Sequence, residues 1–289
     1  MSAADNRGRA DLHAHTTASD GIFAPSELVR LCAEAGLWAV AVSDHDSLAG
    51  LPEAEEAGRR QGVRVFPGVE LSCLEVDASG RRYDVHLLGL FLSDTSAHRL
   101  DGFEGHLEAR RRQRLSRGHE IVRRLAQAGV EVPWAEVEAE AAGGSVGRPH
   151  VARVLIRQGL ARDVDEAFSR YLSPGRPGHV EQAPLSLPEA VGWIREAGGA
   201  AVWAHPILSE LPPHAAPWLD LLDGLEADHP KQDEATRQSL RRLARRRDLL
   251  VTGGSDCHGT AGRERVAVCT TSARTVATLA ARAQGRATA

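Results

Sequence analysis

Lysine is almost absent from this 289-residue chain: Lys231 stands alone among 35 lysines and arginines. A Schiff-base mechanism would have to rest on that one residue, which sets lysine-dependent lyase chemistry aside. The arginines favour bidentate recognition of phosphate or carboxylate instead. Cysteine is also scarce. Cys32, Cys73, Cys257 and Cys269 are widely spaced and form no Cys-x-x-Cys pair, so neither a disulfide framework nor a thiolate zinc site is expected. No apolar run approaches the ~20 residues of a membrane span, and Met1 to Arg9 lacks a signal-peptide core. Together these point to a cytoplasmic protein with no membrane partner. A net charge of -4 and a pI near 6.4 leave no global polyanion-binding signature, so any nucleic-acid contact must come from a local patch. There is no phosphate loop ending in Gly-Lys-Ser/Thr. Gly143-Gly144-Ser145-Val146-Gly147 satisfies Gly-x-Ser-x-Gly, but it follows the helical stretch Glu136 to Ala142 instead of a strand, which excludes a nucleophile elbow.

What the chain does have is histidine and carboxylate at the ends of apolar runs. In Asp11-Leu12-His13-Ala14-His15, alternation along a strand puts both histidines on one face. Asp20, beside Gly21 where the strand should turn, supplies a harder ligand. Imidazole with carboxylate suits zinc, iron or manganese. The pattern recurs in Ser43-Asp44-His45-Asp46, Gly68-Val69-Glu70, Ala204-His205-Pro206 and Gly254-Ser255-Asp256-Cys257-His258.

The apolar content of 42% and the length allow a sizeable core, either one large α/β domain or one domain carrying an insertion. Helices are expected over Pro25 to Gly36 and Leu51 to Gln61, between strands at Asp11, Trp38 to Val42 and Val63 to Glu70, a parallel-sheet rhythm. A turn at Ala78-Ser79-Gly80 joins Leu71 to Val76 with a strand Tyr83 to Leu92, which brings His86 near Glu70. From Ser93 the rhythm changes. A long arginine-rich helix over Phe103 to Ala128 is followed by helices over Pro149 to Gln158 and Asp163 to Leu172. Leu115, Ile121, Val122, Leu125, Val151, Val154, Leu155, Phe168 and Tyr171 form a small core of their own. Residues 100–182 therefore read as a helical insertion in a barrel built from 1–99 and 183–289. The arginine run at 110–117 reads as a solvated face laced with Glu108 and Glu120, with RNA contact as the alternative. The rhythm resumes with a helix Pro188 to Gly198, strands ending at His205, Glu226 and Thr252, and a basic helix Asp233 to Arg247. The tail after Ser272 is alanine-rich, and its end reads as frayed.

In a parallel barrel the C-terminal strand ends share one face. His13, His15, Asp20, His45, Glu70, His86, His205, Asp256 and His258 would meet there. They are too many for one metal ion and suit two or three. Asp44 and Asp46 are positioned to orient His45.

Taken in this order, the motifs resemble those of the polymerase and histidinol phosphatase (PHP) family of metal-dependent phosphoesterases, over roughly 11–92 and 188–259. The resemblance implies a distorted (β/α)7 barrel of the α/β class with two or three divalent ions (Mn, Fe or Zn, with Mn favoured). It assigns His13, His15, Glu70 and Asp256 to one ion, Glu70, His86 and His205 to a second, and Asp20, His45 and His258 to a third. Glu70, Asp256 and His205 are then the catalytic candidates. Gly147-Arg148-Pro149-His150-Val151-Ala152 and Glu226-Ala227-Asp228-His229-Pro230 resemble the branch that hydrolyses nucleoside 3′,5′-bisphosphates and trims 5′-phosphorylated short RNA. The resemblance implies in-line attack on the 3′-phosphoester by a metal-bridging hydroxide, with Arg148, His150 and His229 as substrate-binding candidates and no obligate protein partner. A histidinol-phosphate-type phosphatase, or a catalytically silent metal-bound module, is the alternative.

Overall fold

The computed structural model describes residues 8–77, 79–93, 100–206, 215–259 and 265–287. Ala78 of the expected turn, most of Met1 to Arg9 and the last two residues of the tail lie outside the described residues. The frame is an eight-stranded sheet curled into a nearly closed barrel, in the order β7-β6-β5-β4-β3-β2-β1-β8. Its strands are β1 (Arg9–Ala14), β2 (Ala39–Val42), β3 (Arg64–Val76), β4 (Arg82–Leu90), β5 (Ala200–Trp203), β6 (Gly224–Asp228), β7 (Leu250–Gly253) and the short β8 (Thr271–Ser272). The segment after β7 returns to β1, where the Asp256 amide donates to the His13 carbonyl (2.8 Å) and the His15 amide to the Cys257 carbonyl (3.0 Å). That return closes the circle. β1, β2 and β3 run parallel, as do β5, β6 and β7, but β4 is antiparallel to both of its neighbours. The parallel rhythm therefore breaks at the hairpin of β3 and β4. β3 also runs straight through Glu70, which is a mid-strand residue and not a strand end.

The inner face of the sheet collects Ala10, Leu12, Ala39, Ala41, Phe66, Leu88, Leu90 and Val202. These positions fall at period two along each strand, as one face of a sheet requires. Ala14, by contrast, joins the outer layer with Leu28, Val29 and Cys32. The β1–β2 register shifts between Asp11 and Ala14. This irregularity changes the phase of the strand, so that His13 and His15 as well as Leu12 turn inward.

Around the barrel lie α1 (Pro25–Glu34), α2 (Leu51–Gln61), α7 (Leu187–Glu196), the single turn α8 (Ala216–Leu219), α9 (Glu234–Arg246) and α10 (Ala273–Ala287). Prolines within the first two helical positions and a left-handed Gly62 after α2 set the boundaries of α1 and α2. The tail forms α10 as far as Ala287, and the end beyond it lies outside the described residues. Val276, Leu279 and Ala283 of α10 pack on the inner cluster of the barrel, and burying a side chain the size of valine or leucine contributes about 1.5–3 kcal/mol.

Between β4 and β5 stand α3 (Leu100–Gln127), α4 (Trp134–Ala141), α5 (Arg148–Arg157), the short α6 (Val164–Ala167) and a π-helical turn over Phe168–Leu172. Ile121, Leu125, Val137, Val151, Val154, Leu155 and Tyr171 make a separate cluster, with Val122 and Phe168 packed against it. Leu115 is exposed. α3 straddles both cores, since its Phe103 and Leu107 pack with Leu187, Trp203 and the rest of the barrel's outer layer. The arginine run on α3 is not uniformly solvated either. Arg110 and Arg114 are buried and face Asp46, whereas Arg112, Arg123 and Arg124 are exposed. Among the described residues no helix is long and apolar enough to cross a membrane.

Candidate metal centre

The two oxygens of Glu70, buried in the barrel mouth, face five imidazoles. Oε2 lies 3.3 Å from His13 Nε2, 3.2 Å from His15 Nε2 and 3.3 Å from His45 Nδ1. Oε1 lies 2.7 Å from His86 Nδ1 and 3.2 Å from His205 Nε2. Asp256 Oδ1 sits 3.4 Å from His13 Nε2 and 3.3 Å from His15 Nε2. Asp20 Oδ1 sits 3.3 Å from His258 Nε2, and Asp20 Oδ2 3.8 Å from His45 Nε2. Three sets have ligand atoms within 4.8 Å of one another: His13, His15, Glu70 and Asp256; His15, Asp20, His45 and His258; and His45, Glu70 and His86. His205 stands beside the last set through Glu70 Oε1. All nine sequence-derived ligand candidates thus fall in one cluster, with Glu70, His15 and His45 each facing two sets.

These donors fit divalent ions. His13 Nε2, both ring nitrogens of His15, His45 Nδ1 and His205 Nδ1 are buried without a hydrogen-bond partner. Buried polar atoms are rarely left so. A cation placed among them satisfies the nitrogens and neutralises the carboxylates together.

Burial alone would push the Glu70, Asp256 and Asp20 carboxyls up. The facing imidazoles hold all three well below the usual carboxylate range: His45, His86 and His13 for Glu70, His13 and His258 for Asp256, and His45 and His258 for Asp20. Burial also disfavours a charged His15, yet the Asp256 and Glu70 carboxylates, 3.3 and 3.2 Å from its Nε2, raise it to about 10. For His45 burial wins over Glu70 and Asp20, and its pKa falls to about 3. Asp46, His205 and Asp256 hold left-handed backbone, with φ of 49°, 32° and 49°. Such strain, of order 1–3 kcal/mol per residue, persists where surrounding structure fixes it.

The residues that fix the ligands were less visible in the sequence. Glu226 lies in the middle of β6, and its Oε1 is 3.1 Å from His13 Nδ1 while Oε2 accepts from the His205 amide at 3.0 Å. That orients His13 with Nε2 toward Glu70 and Asp256. The signal was a carboxylate in the apolar run Leu222 to Glu226. Asp11 accepts from the His13, Ser255 and Ala267 amides. Asp44 does not orient His45; it accepts from the Thr16 amide, the Thr16 hydroxyl and the Ser19 hydroxyl, and so carries the loop that bears Asp20. Asp46 serves Arg114 and Arg110. At Gly254 a Cβ would stand 2.3 Å from His13 Cβ, so glycine is required where the strand end closes on β1. Cys257 is buried there, its backbone bridged to Ala14.

The three substrate-binding candidates separate. Arg148, at the start of α5, lines a cavity of about 260 Å³ together with Asp20, His45, Glu70, His86, His205, Asp256 and His258. His150 does not. It is fully buried, its Nδ1 accepts from the Gly147 amide (2.9 Å) and its Nε2 donates to the Ser19 carbonyl (2.9 Å). No ring nitrogen is left for a ligand, so His150 caps α5 and clasps the loop. His229 is also fully buried, with Nε2 3.2 Å from Asp256 Oδ2 and Nδ1 accepting from the Lys231 amide. It orients Asp256 and offers nothing to substrate. Arg117 and Arg114, which sequence reasoning left in the arginine run, line the same cavity as Arg148. Arg117 is held by the Val180 carbonyl and the Gln182 side chain, and burial with the nearby Arg148 and Arg114 lowers it to about 10. Arg148 stacks over Phe168.

Residues 11–183 match the family model described as "PHP domain". Over 259 residues the chain is 34% identical to the 5′-3′ exoribonuclease Rnm of Salmonella typhimurium, covering 86% of this chain and 84% of that one. It is 35% identical over 202 residues to the 3′,5′-nucleoside bisphosphate phosphatase of Chromobacterium violaceum, covering 68% and 66%. A solved structure from Bifidobacterium adolescentis, described as a metal-dependent phosphoesterase, superposes with a TM-score of 0.83 at 31% identity, covering 94% of this chain and 96% of that one.

Proposed function

The chain belongs to the PHP domain family and is a phosphoric ester hydrolase, and from that premise we propose that it cleaves the 3′-phosphoester of 5′-phosphorylated nucleotides. The substrates are nucleoside 3′,5′-bisphosphates and the 5′-terminal unit of short RNA. One observation carries this reading: a single cavity is lined both by the carboxylate and imidazole cluster and by Arg114, Arg117 and Arg148. A substrate with two phosphates on one ribose needs both kinds of wall.

His13, His15, Glu70 and Asp256 would hold one ion, Glu70, His86 and His205 a second, and Asp20, His45 and His258 a third, with manganese favoured. Such ions supply Lewis-acid neutralisation of the phosphoryl oxygens and an activated water. The protein supplies position. Glu70, with Asp256 and His205 beside it, would be the catalytic group, since its two oxygens face histidines of more than one candidate ion set. Arg117 and Arg148 bind the 5′-phosphate. Their guanidiniums repel each other in a half-buried setting, and a dianion between them removes that repulsion. Residues 100–182 act as a helical unit over the barrel mouth that brings these arginines to the metal centre. We place the enzyme in the cytoplasm, working without an obligate protein partner.

The test is product release by manganese-loaded protein from adenosine 3′,5′-bisphosphate and a 5′-phosphorylated RNA trimer, run beside histidinol phosphate. Selective formation of 5′-AMP is expected. Preference for histidinol phosphate would overturn the nucleotide reading. Arg148→Ala should raise KM for the bisphosphate roughly tenfold or more, the worth of a charge-assisted hydrogen bond, and leave 3′-AMP unaffected. Equal effects on the two substrates would remove Arg148 from the 5′-phosphate site.

A further inference from the structure

Asp20 stands on the loop that joins β1 to α1, whereas His13, Glu70 and Asp256 are fixed by the barrel's own strands and closure. On the barrel side, Asp44 carries the start of this loop through Thr16 and Ser19, and the Ile22 amide donates to the His258 carbonyl. The other side of the loop belongs to the helical segment. Three consecutive carbonyls, those of Ala18, Ser19 and Asp20, accept from the Ser145 amide (2.9 Å), His150 Nε2 (2.9 Å) and Arg153 Nη1 (3.0 Å).

Each donor is itself held. The Gly147 amide donates to His150 Nδ1, which leaves the proton on Nε2 and aims it at Ser19. Arg153 is anchored through Nε to Glu140 of α4 (3.0 Å). The approach is close enough to dictate glycine, since a Cβ on Gly144 would lie 2.5 Å from the Thr17 carbonyl oxygen. The Gly-Gly-Ser run that mimics a nucleophile motif is thus the contact point between the two parts of the molecule. Ser19 and Asp20 are both buried, so withdrawal of the helices would leave their carbonyls without donors.

We propose that α4 and α5, acting through Ser145, His150 and Arg153, position Asp20 and thereby set the affinity of the ion site formed by Asp20, His45 and His258. His150 and Arg153 are positioning residues, two bonds removed from the ion. Because the same contacts dock the helices, docking of the helical segment and loading of this site favour each other reciprocally. The other two ion sites lack this link. The inference rests on the reading of Asp20 as a ligand.

The experiment is a manganese titration of the full chain, counting sites and affinities by calorimetry and by metal analysis after dialysis. Asp20→Asn should lose one site. Arg153→Gln and His150→Ala should weaken the same site roughly tenfold or more, the usual effect of removing a group that orients a ligand, and leave the others unchanged. Arg153→Lys should restore part of the loss. If Asp20→Asn loses a site while Arg153→Gln and His150→Ala bind every ion with wild-type affinity, the inference is overturned and the ligand reading stands. If Asp20→Asn keeps the full complement, both fall together. Hydrogen exchange on the unaltered protein gives a second arm that needs no variant. Manganese should slow exchange across 144–153 of the helical segment, and unchanged exchange there would overturn the linkage even if the substituted proteins fail to fold.

Discussion

Around Glu70 five imidazoles crowd one carboxylate, while along α3 most arginines face a carboxylate. Arg110 and Arg114 face Asp46 inside, and Arg123 and Arg124 face Glu120 outside. The first arrangement leaves buried nitrogens without partners and calls for ions. The second pairs charge with charge, although Arg110 Nε, Arg111 Nη1 and Asp46 Oδ1 are buried without a hydrogen bond. Charged residues therefore mark a candidate ion site in one region and a structural joint in the other, and what separates them is whether each carboxylate already faces a permanent cation.

That contrast breaks most sharply at Glu70. Glu70→Gln keeps the shape but offers one neutral oxygen where two anionic ones served two ion sets. Turnover should fall by well over a hundredfold, since even groups that merely orient ligands cost about 10–100-fold, and metal analysis should show the loss of bound ion. Near-normal turnover in this variant would refute a shared ligand.

The joint should break differently. Asp46→Asn leaves Arg114 buried without its counter-charge, although Arg114 keeps a bond to the Ser72 hydroxyl. Losing one partner of a buried pair typically costs about 3–5 kcal/mol, which a urea midpoint would register as a large drop. Asp46→Asn with Arg114→Met should recover part of it. A double variant no better than the single one would mean that the pair is not what docks α3.

Glu226 sharpens the comparison from the barrel side. Its replacement in Glu226→Gln leaves every candidate ligand in place and loosens the hold on the His13 ring and the His205 backbone, so manganese affinity should fall about 10–100-fold with little change in ion count. An unchanged dissociation constant would assign Glu226 to folding alone.

The ligand candidates were legible because all but His86 stand in short motifs beside apolar runs, with His86 marked by its strand alone, and strand periodicity fixes which way such residues point. The parallel rhythm followed from the alternation of strands and helices, and the barrel from the family resemblance. The antiparallel pairing of β3 with β4 was legible in the turn between them, but the mid-strand place of Glu70 was not, because an apolar run that continues past a carboxylate looks like one that ends there. α10 was missed because alanine-rich amphipathic helices have weak apolar stripes, and only the inner face of the barrel reveals what Val276 and Leu279 bury against. His150 and His229 read as substrate contacts from their motifs, yet their ring nitrogens are taken by Gly147 and Ser19, and by Asp256 and Lys231. Ser19 and Asp256 lie too far away in the sequence to leave a local signal. The buried arginines show the same limit, since Arg114 and Arg123 have similar neighbours in sequence and opposite environments in space.

The smallest effect is expected where the two regions are least alike, on the outer face of α3. Arg123 and Arg124 both bond to Glu120 at the surface, and these bonds hold the Glu120 carboxyl down at about 2. Exposed pairs of this kind are screened by water and salt and contribute little to stability. Replacing both arginines with glutamine should leave the urea midpoint unmoved and, if the helix face serves only as a solvated surface, leave KM for a 5′-phosphorylated RNA as it is. The RNA must be long enough to reach beyond the barrel mouth for the measurement to discriminate. A KM that rises for such an RNA but stays constant for the mononucleotide bisphosphate would show that the outer arginines also meet a phosphate backbone, and the self-paired reading of α3 would then hold only for its buried half.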